Sequence, residues 1–315
     1  MILRMAAAIA AAAAACSPAA AQQTKSGKER EPAEKESRGE FSAEVSAGVE
    51  YDSNLAVVEV DQSTGAEDFS ANLEVELGYE REFGQGTTFE AGYDFSQSLH
   101  FDFPDFDIQS HRGSVSLEQD FGRIDAGASY DFIYSTLDRE GFISYHLLSP
   151  YASAFIGENL LTRVAYSYAD KNFIDRIDRD ATIHAGAVDA YYFWNGRRTY
   201  LLLGYKYESE NAVDPQFDFT AHTIRARLSQ RFSLAGARAQ GRVGWRYENR
   251  DYDAVTLSIG EIRDDRRHRI EAELEVDLTD RIFAELEARR NFLNSNLPSV
   301  DYNENVIAAR LGARF

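Results

Sequence analysis

The chain has 315 residues, a formal net charge of -19 and a mean hydropathy of -0.42. So acidic a chain lacks the basic field that holds phosphates, and we predict no nucleic-acid partner. The length suits one large barrel or two ordinary domains.

The first 21 residues have the features of a secretory signal peptide. The apolar run Ala6–Ala15 follows Arg4 and is too short to cross a bilayer, which needs about 20 residues. Small residues at Ala19 and Ala21 suit cleavage after Ala21. The only cysteine, Cys16, leaves open an alternative in which it becomes the lipidated first residue. Cleavage after Ala21 would leave a mature chain without thiol or disulfide chemistry.

Residues 22–40 carry five positive and five negative charges and almost no apolar side chains. Such a composition cannot bury a core and predicts a disordered, charged periplasmic linker. The remaining residues, 41–315, are predicted to form one domain.

From Phe41 to Phe315, apolar and polar residues alternate at period two in successive segments, which is the pattern of strands with one apolar face. Short connections rich in Gly, Asn and Asp alternate with longer ones such as Ser53–Asp68 and Asp253–Asp265. This rhythm is typical of outer-membrane barrels. The predicted strands are 41–52, 69–81, 87–101, 108–121, 124–136, 142–156, 160–173, 180–194, 198–211, 217–232, 237–252, 266–278, 281–292 and 303–315.

The sequence therefore predicts an all-β fold, a single 14-stranded antiparallel transmembrane β-barrel of the outer-membrane type. An even strand count places both termini in the periplasm of a Gram-negative bacterium. The proposed lipid faces are almost free of charge, as the cost of a midplane Lys or Arg, about 2–4 kcal/mol, requires. On strand eight Asp189 favours the even face, with Val188 and Tyr192, toward lipid, whereas strand six is ambiguous.

Charged side chains on the polar faces predict an uneven lumen. Either opposed acidic and basic walls impose a field on ions or a threaded polypeptide, or the charges pair across strands and only stabilise the wall, which we favour. The acidic candidates are Glu74, Glu76, Glu90, Asp94 and Glu118; the basic ones are Arg225, Arg227, Arg238, Arg242 and Arg246; and strand twelve adds Glu271, Glu273 and Glu275.

Signals for catalysis are poor. The six histidines lie in different strands with no pair at metal-ligand spacing. Two acidic loops offer oxygen ligands but lack the spacing of a defined calcium loop: Asp102, Asp105 and Asp107 in one, and Asp175, Asp178 and Asp180 in the other. We predict no enzyme activity, no cofactor and no metal.

The most specific local string is Tyr51-Asp52-Ser53-Asn54, which predicts an Asx turn at the start of the first loop. The aromatic C-terminal residue Phe315, on an alternating strand, resembles the signal read by the barrel-assembly machinery. With the 14 strands, these features resemble the C-terminal β-barrel of the surface lipoprotein assembly modifier family, and related porin-like barrels share the string. Further matching pairs are Arg246-Tyr247, Asp251-Tyr252, Arg263-Asp264, Ser295-Asn296 and Asp301-Tyr302.

The resemblance implies an outer-membrane barrel for transport or assembly at the cell surface, which helps to deliver lipoproteins to the outer leaflet. That family usually carries a periplasmic tetratricopeptide domain, whereas only nineteen linker residues precede the barrel here. The alternatives are a porin-like diffusion channel for small solutes and a structural or adhesive surface barrel. The expected partners are outer-membrane lipid, the barrel-assembly machinery and a lipoprotein or periplasmic protein.

Overall fold

The computed structural model describes residues 39–315, so the predicted signal peptide and nearly all of the predicted linker lie outside the described residues. The described chain forms a closed barrel of fourteen antiparallel strands, as predicted. The strands are β1 Glu40–Asp52, β2 Asp68–Phe83, β3 Thr87–His100, β4 Ile108–Asp120, β5 Asp125–Leu137, β6 Glu140–Ile156, β7 Leu160–Phe173, β8 Ala181–Trp194, β9 Thr199–Ala212, β10 Phe219–Leu234, β11 Ala237–Thr256, β12 Glu261–Asp277, β13 Ile282–Ser295 and β14 Tyr302–Arg314.

The last strand closes the barrel on the first. β14 pairs with β1 in a register that sets Ala47 against Leu311. The amide of Phe315 donates to the Ala43 carbonyl at 2.9 Å and continues this ladder to the end of the chain. Closure leaves no unpaired strand edge, which a sheet in lipid requires.

The two ends of the barrel differ. We call the end that carries both described termini the terminal rim; its turns are short, and Asn195 and Gly196 take positive φ angles of 52° and 62° in one of them. Asn and Gly adopt this backbone region most easily. The other end, the loop rim, carries loop 53–67 and shorter connections, four of which contain a single 3-10 turn. Within the described residues, no helix is long and apolar enough to span a bilayer.

The largest error in the predicted strand bounds is in the hairpin of β11 and β12. The predicted long loop Asp253–Asp265 is wrong, because β11 continues to Thr256 and β12 begins at Glu261. The register shifts between Asp251 and Val255, so a bulge accommodates the polar stretch that was taken for a loop.

The alternating faces point as the sequence indicates. On β8, Val188 and Tyr192 are exposed outward and Asp189 is buried inward, which confirms the choice of face. On β6, Tyr145 and Leu147 point into the barrel and Leu148 points outward. The ambiguity of this strand has a physical cause, since its inward face is apolar too.

Candidate functional site

Loop 53–67, between β1 and β2, folds into the lumen instead of standing outside the barrel. Its Val57 and Val60 are only 7% and 5% exposed. They pack in an apolar cluster on the inner wall of β5 to β8. Burying one valine contributes about 1.5–3 kcal/mol, so this cluster is a substantial seat for the loop. The buried residues of the cluster are Val57, Val60, Ile133, Phe142, Ile143, Tyr145, Leu147, Ala169, Phe173 and Ile183.

The string Tyr51-Asp52-Ser53-Asn54 forms the neck of this loop. The amide of Asn54 donates to the Asp52 carboxylate at 2.8 Å, which is the predicted Asx turn. The side-chain oxygen of Asn54 accepts from the Gly65 amide at 2.8 Å and ties the two ends of the loop together. The Ser53 amide donates to the Asn305 carbonyl on β14 at 3.0 Å. The string therefore aims the loop inward.

The tip of the loop is held by an ion-pair clamp at Asp61. A 3-10 turn, Val58–Val60, ends at Asp61 in the left-handed region with φ 56°. Its carboxylate accepts from Arg179 at 2.7 Å and from Arg263 on β12 at 2.9 Å. Burial alone would raise the pKa of Asp61, but the two guanidinium groups outweigh it and hold this pKa below its usual 3.8. We call Asp61, Arg179 and Arg263 the Asp61 clamp.

Glu59, two residues earlier in the loop, is in a less favourable position. One of its carboxylate oxygens is buried and has no hydrogen-bond partner among residues 39–315. Burial raises the pKa of Glu59 above its usual range, and more distant cations such as Lys171 only partly oppose this shift. A loop seated with Glu59 ionised therefore bears a desolvation cost.

Between the loop and the wall of β11 to β13 lies a cavity of about 150 Å³. Arginines line one side, from β11 to β13, while carboxylates come from β1, the loop, β11 and β14. Nε and Nη1 of Arg289 are buried, and neither has a hydrogen-bond partner in the described part of the chain. The charged lining residues are Glu50, Asp52, Glu59, Arg246, Glu248, Arg250, Arg267, Arg269, Arg289 and Glu304, five of each sign. His100 also lines the cavity, as does His268, although the His268 ring packs against Trp245 and Tyr247 on the outer face. The cavity therefore offers both signs of charge across a narrow space.

The predicted basic residues of the lumen mostly have acidic partners on nearby strands. Glu248 on β11 is buried and accepts from Arg246 and, at 2.7 Å, from Arg250. Arg238 pairs with Asp277 at 3.0 Å and with Asp280 at 3.4 Å, but its side chain is 73% exposed at the terminal rim. The other pairs are Arg225 with Asp189 at 2.7 Å, Arg227 with Glu271 at 2.7 Å, Arg242 with Glu273, and Arg314 with Glu275 at 3.0 Å.

The predicted acidic residues are distributed along β2 to β4. Asp94 and Asp131 share Arg112, at 3.2 and 2.6 Å. Glu90 accepts from Ser116 at 3.1 Å, and Glu118 accepts from Tyr151 at 3.0 Å. Glu76 lies opposite Glu44 of β1 and Asp94 of β3.

Glu74 belongs to a group of ion pairs around Arg310 that was not predicted from the sequence. It lies 3.5 Å from Arg310, whose side chain is 1% exposed and also contacts Glu285 at 2.7 Å and Glu287 at 3.1 Å. Glu50 is the fourth carboxylate, at 3.7 Å. Arg310 thus joins β14, β13, β1 and β2 where the barrel closes.

Two acidic features have structural partners. Glu273, Glu275 and Glu285 come close enough to share a cation, but Arg242 and Arg314 already bind the first two. In the loops, Asp107 and Asp180 accept the amides of His100 and Phe173 at 2.7 and 2.6 Å. These carboxylates cap the ends of the preceding strands.

The predicted assembly signal, Phe315, is 72% exposed at the terminal rim.

Comparison with known proteins shows to which families the barrel belongs. The model of the Gram-negative porin family matches residues 6–174, and that of the surface lipoprotein assembly modifier family matches residues 149–315; each covers slightly more than half of the chain. No curated protein matches. Among solved structures, an anion-selective porin from Comamonas acidovorans matches at 10% identity and a TM-score of 0.50, over 88% of this chain and 99% of that one. OmpT, an outer membrane protein of Vibrio cholerae, matches at 8% identity and a TM-score of 0.52 with the same coverage. At these identities the structures show the fold alone, whereas the family matches show that this chain belongs to the Gram-negative porin and surface lipoprotein assembly modifier families of outer-membrane barrels.

Proposed function

We propose that the chain is a constricted, non-enzymatic channel through which small polar solutes cross the outer membrane. The observation that carries this proposal is loop 53–67, which lies in the lumen between an apolar seat and the Asp61 clamp. A loop fixed in this way narrows the path, and the arginines and carboxylates around the adjoining cavity offer both signs of charge to a passing solute. The porin family match supports the same function.

The two rims indicate how the proposed channel is oriented in the membrane. The terminal rim faces the periplasm and the loop rim faces outward, in agreement with the short turns at one end and the longer loops at the other. The segment before the barrel is a signal peptide, removed after Ala21, and a charged linker. We further propose that the barrel-assembly machinery binds the last strand, where Phe315 stands exposed at the terminal rim.

The test is conductance. The refolded barrel is placed in a planar bilayer, and its conductance and reversal potential are recorded in a salt gradient. Stable openings smaller than those of a variant lacking residues 56–63 support a channel narrowed by the loop. A barrel that inserts in the folded state but never conducts, with or without the loop, contradicts the proposal.

Assembly of surface lipoproteins is the second candidate function. It is favoured by the family match over residues 149–315, and by a buried aromatic cluster inside the barrel near the terminal rim. This cluster comprises Leu161, Tyr191, Phe193, Tyr200 and Leu202, packed against Phe155. An apolar entrance suits an acyl chain or an unfolded segment better than a small ion. Protease accessibility of surface lipoproteins in cells with and without this chain tests the idea, and equal accessibility argues against it.

A further inference from the structure

Five of the six histidines lie on the outside of the barrel, in one repeated arrangement. The arrangement occurs in five hairpins that turn at the loop rim: β3–β4, β5–β6, β7–β8, β9–β10 and β11–β12. In each of them, the first strand carries two outward aromatic residues two positions apart. The second strand carries a histidine directly opposite the second aromatic residue. These opposed pairs are Phe95 with His111, Phe132 with His146, Tyr168 with His184, Tyr207 with His222, and Tyr247 with His268. We call the five histidines and their aromatic neighbours the Tyr–His belt.

The first aromatic residue orients the imidazole. In four hairpins it is a tyrosine whose hydroxyl lies 2.6–2.8 Å from Nδ1 of the histidine: Tyr93, Tyr130, Tyr166 and Tyr205. At His146, His184 and His222, with the phenol as donor, Nδ1 is the acceptor and the ring proton is on Nε2. In the fifth hairpin Trp245 takes this place and stacks on His268.

The Nε2 atoms of three belt histidines are available to a ligand. Gln109 occupies Nε2 of His111 at 2.7 Å. Across residues 39–315, no protein hydrogen bond reaches Nε2 of His146, His184 or His222. A fixed N–H that faces away from the barrel is a donor in need of an acceptor from the surroundings.

The belt lies where the outer surface changes character. Two residues toward the loop rim, the outward positions are polar, and two residues toward the terminal rim they are apolar or glycine. The polar set is Gln109, Ser144, Thr182, Thr220 and Arg266; the other set is Gly113, Leu148, Gly186, Ile224 and Ile270.

The height of the belt agrees with a membrane boundary. Nine to twelve residues separate each histidine from the terminal-rim end of its strand. At about 3.3 Å per residue and a tilt of about 40°, this is roughly 23–30 Å, close to the apolar band of about 25 Å in outer-membrane barrels. The belt therefore lies at the polar edge of the leaflet at the loop rim.

A cation at the same height indicates which acceptor is present. Arg290 on β13 points outward opposite Ile270, and its guanidinium lies over the Phe292 ring at 4.8 Å, toward the loop rim. It makes no ion pair within residues 39–315. A guanidinium at the lipid edge binds phosphate readily, because its planar donors match the phosphate oxygens.

We propose that the Tyr–His belt and Arg290 bind the phosphate groups of lipids in the leaflet at the loop rim. The imidazole Nε2–H groups and the guanidinium donate to phosphate oxygens, while the aromatic rings contact the upper acyl chains. Bound phosphates fix the depth of the barrel in the membrane. The proposal concerns the outer surface and does not depend on whether the lumen conducts.

The test measures lipid selectivity around the barrel in phosphatidylcholine vesicles by electron spin resonance. Spin-labelled phosphatidic acid is compared with spin-labelled diacylglycerol, which lacks phosphate. We expect the wild-type barrel to prefer phosphatidic acid about threefold, the effect of a modest hydrogen bond at each site. Replacing His146, His184, His222 and His268 by Phe should remove most of the preference, and Arg290→Gln should reduce it by a smaller amount.

The matched control places four phenylalanines on the same outer surface but closer to the midplane: Leu117→Phe, Val188→Phe, Leu228→Phe and Leu274→Phe. It should keep the wild-type preference, and heat-modifiable gel migration verifies the fold of every variant. A milder variant, with Tyr130, Tyr166 and Tyr205 changed to Phe, removes only hydroxyls and should lower the preference even if the histidine variant does not fold. The proposal is overturned if the folded histidine variant, or the tyrosine variant, binds phosphatidic acid as the wild type does.

Discussion

Replacing Asp61 by Asn should loosen loop 53–67 and raise the frequency of large channel openings. The carboxylate accepts from Arg179 at 2.7 Å and from Arg263 at 2.9 Å. Hydrogen bonds to charged groups contribute about 1.5–3 kcal/mol each, and Asn keeps one acceptor oxygen, so we expect a loss of about 2–4 kcal/mol. At about 1.4 kcal/mol per tenfold change, the population of the displaced loop rises roughly 30-fold to 700-fold.

The assay is single-channel recording at neutral pH and fixed salt, with the open probability of the large-conductance state as the measured quantity. Asp253→Asn is the matched control, because it removes the same charge from an exposed position at the same rim. The apolar seat of Val57 and Val60 remains in Asp61→Asn, so full release should require Val57→Ser and Val60→Ser as well. If Asp61→Asn conducts like both the wild type and Asp253→Asn, the clamp does not hold the loop.

Three further predictions concern the charges of the lumen. The clamp should persist upon acidification. Because the pKa of Asp61 is lowered, its contribution is fully present above its usual value of 3.8 and is lost only as the pH falls through the lower folded-state value. A conductance step near pH 6 in the Glu59→Gln variant, where Glu59 does not titrate, would contradict this. For Glu59 the dependence on pH is reversed. Because its pKa is raised, its contribution to seating the loop is present below its free-chain pKa and is lost as the pH rises through the folded-state value. Glu59→Gln should therefore reduce the frequency of large openings at pH 7. Arg310→Gln should lower the free energy of unfolding by about 3–5 kcal/mol, because it leaves four carboxylates near the closing strand without their shared cation. Urea titration of the barrel in vesicles measures this change. The control Arg238→Gln, at an exposed position, should change the free energy of unfolding by less than about 1 kcal/mol.

Sequence patterns predicted most of the barrel because a membrane β-barrel imposes period-two alternation on every strand. The outward faces of β2, β5 and β12 follow from that rule, as does the burial of Asp189 on β8. The prediction failed in the hairpin of β11 and β12, where strands extend past the band that lipid covers. There the outward face no longer contacts lipid, and the inward face buries charged residues such as Arg263 and Asp265. The alternation of apolar and polar residues is therefore lost, and Asp253–Asp265 resembles a loop.

Charge pairing was harder to predict than the position of the charges. The choice of acidic and basic walls used strand order, but partners depend on side-chain reach over two or more strands. Arg227 of β10 reaches Glu271 of β12, and Arg225 of β10 reaches Asp189 of β8. Arg310, with four carboxylates on three other strands, was missed for the same reason.

The inward fold of loop 53–67 left two traces in the sequence that explain each other. The loop carries four consecutive apolar residues, Leu55–Val58, which a loop in water would expose at a cost of about 25 cal/mol per Å². The inner face of β6, with Tyr145 and Leu147, would expose apolar surface to a wet lumen. Either apolar surface would be unfavourable in water, but the apolar segment of the loop packs against the inner face of β6 and both are buried. The clamp at Asp61 sets the depth of insertion. An apolar loop beside a barrel strand that is apolar on both faces is therefore a sequence signature of a loop lodged in the lumen.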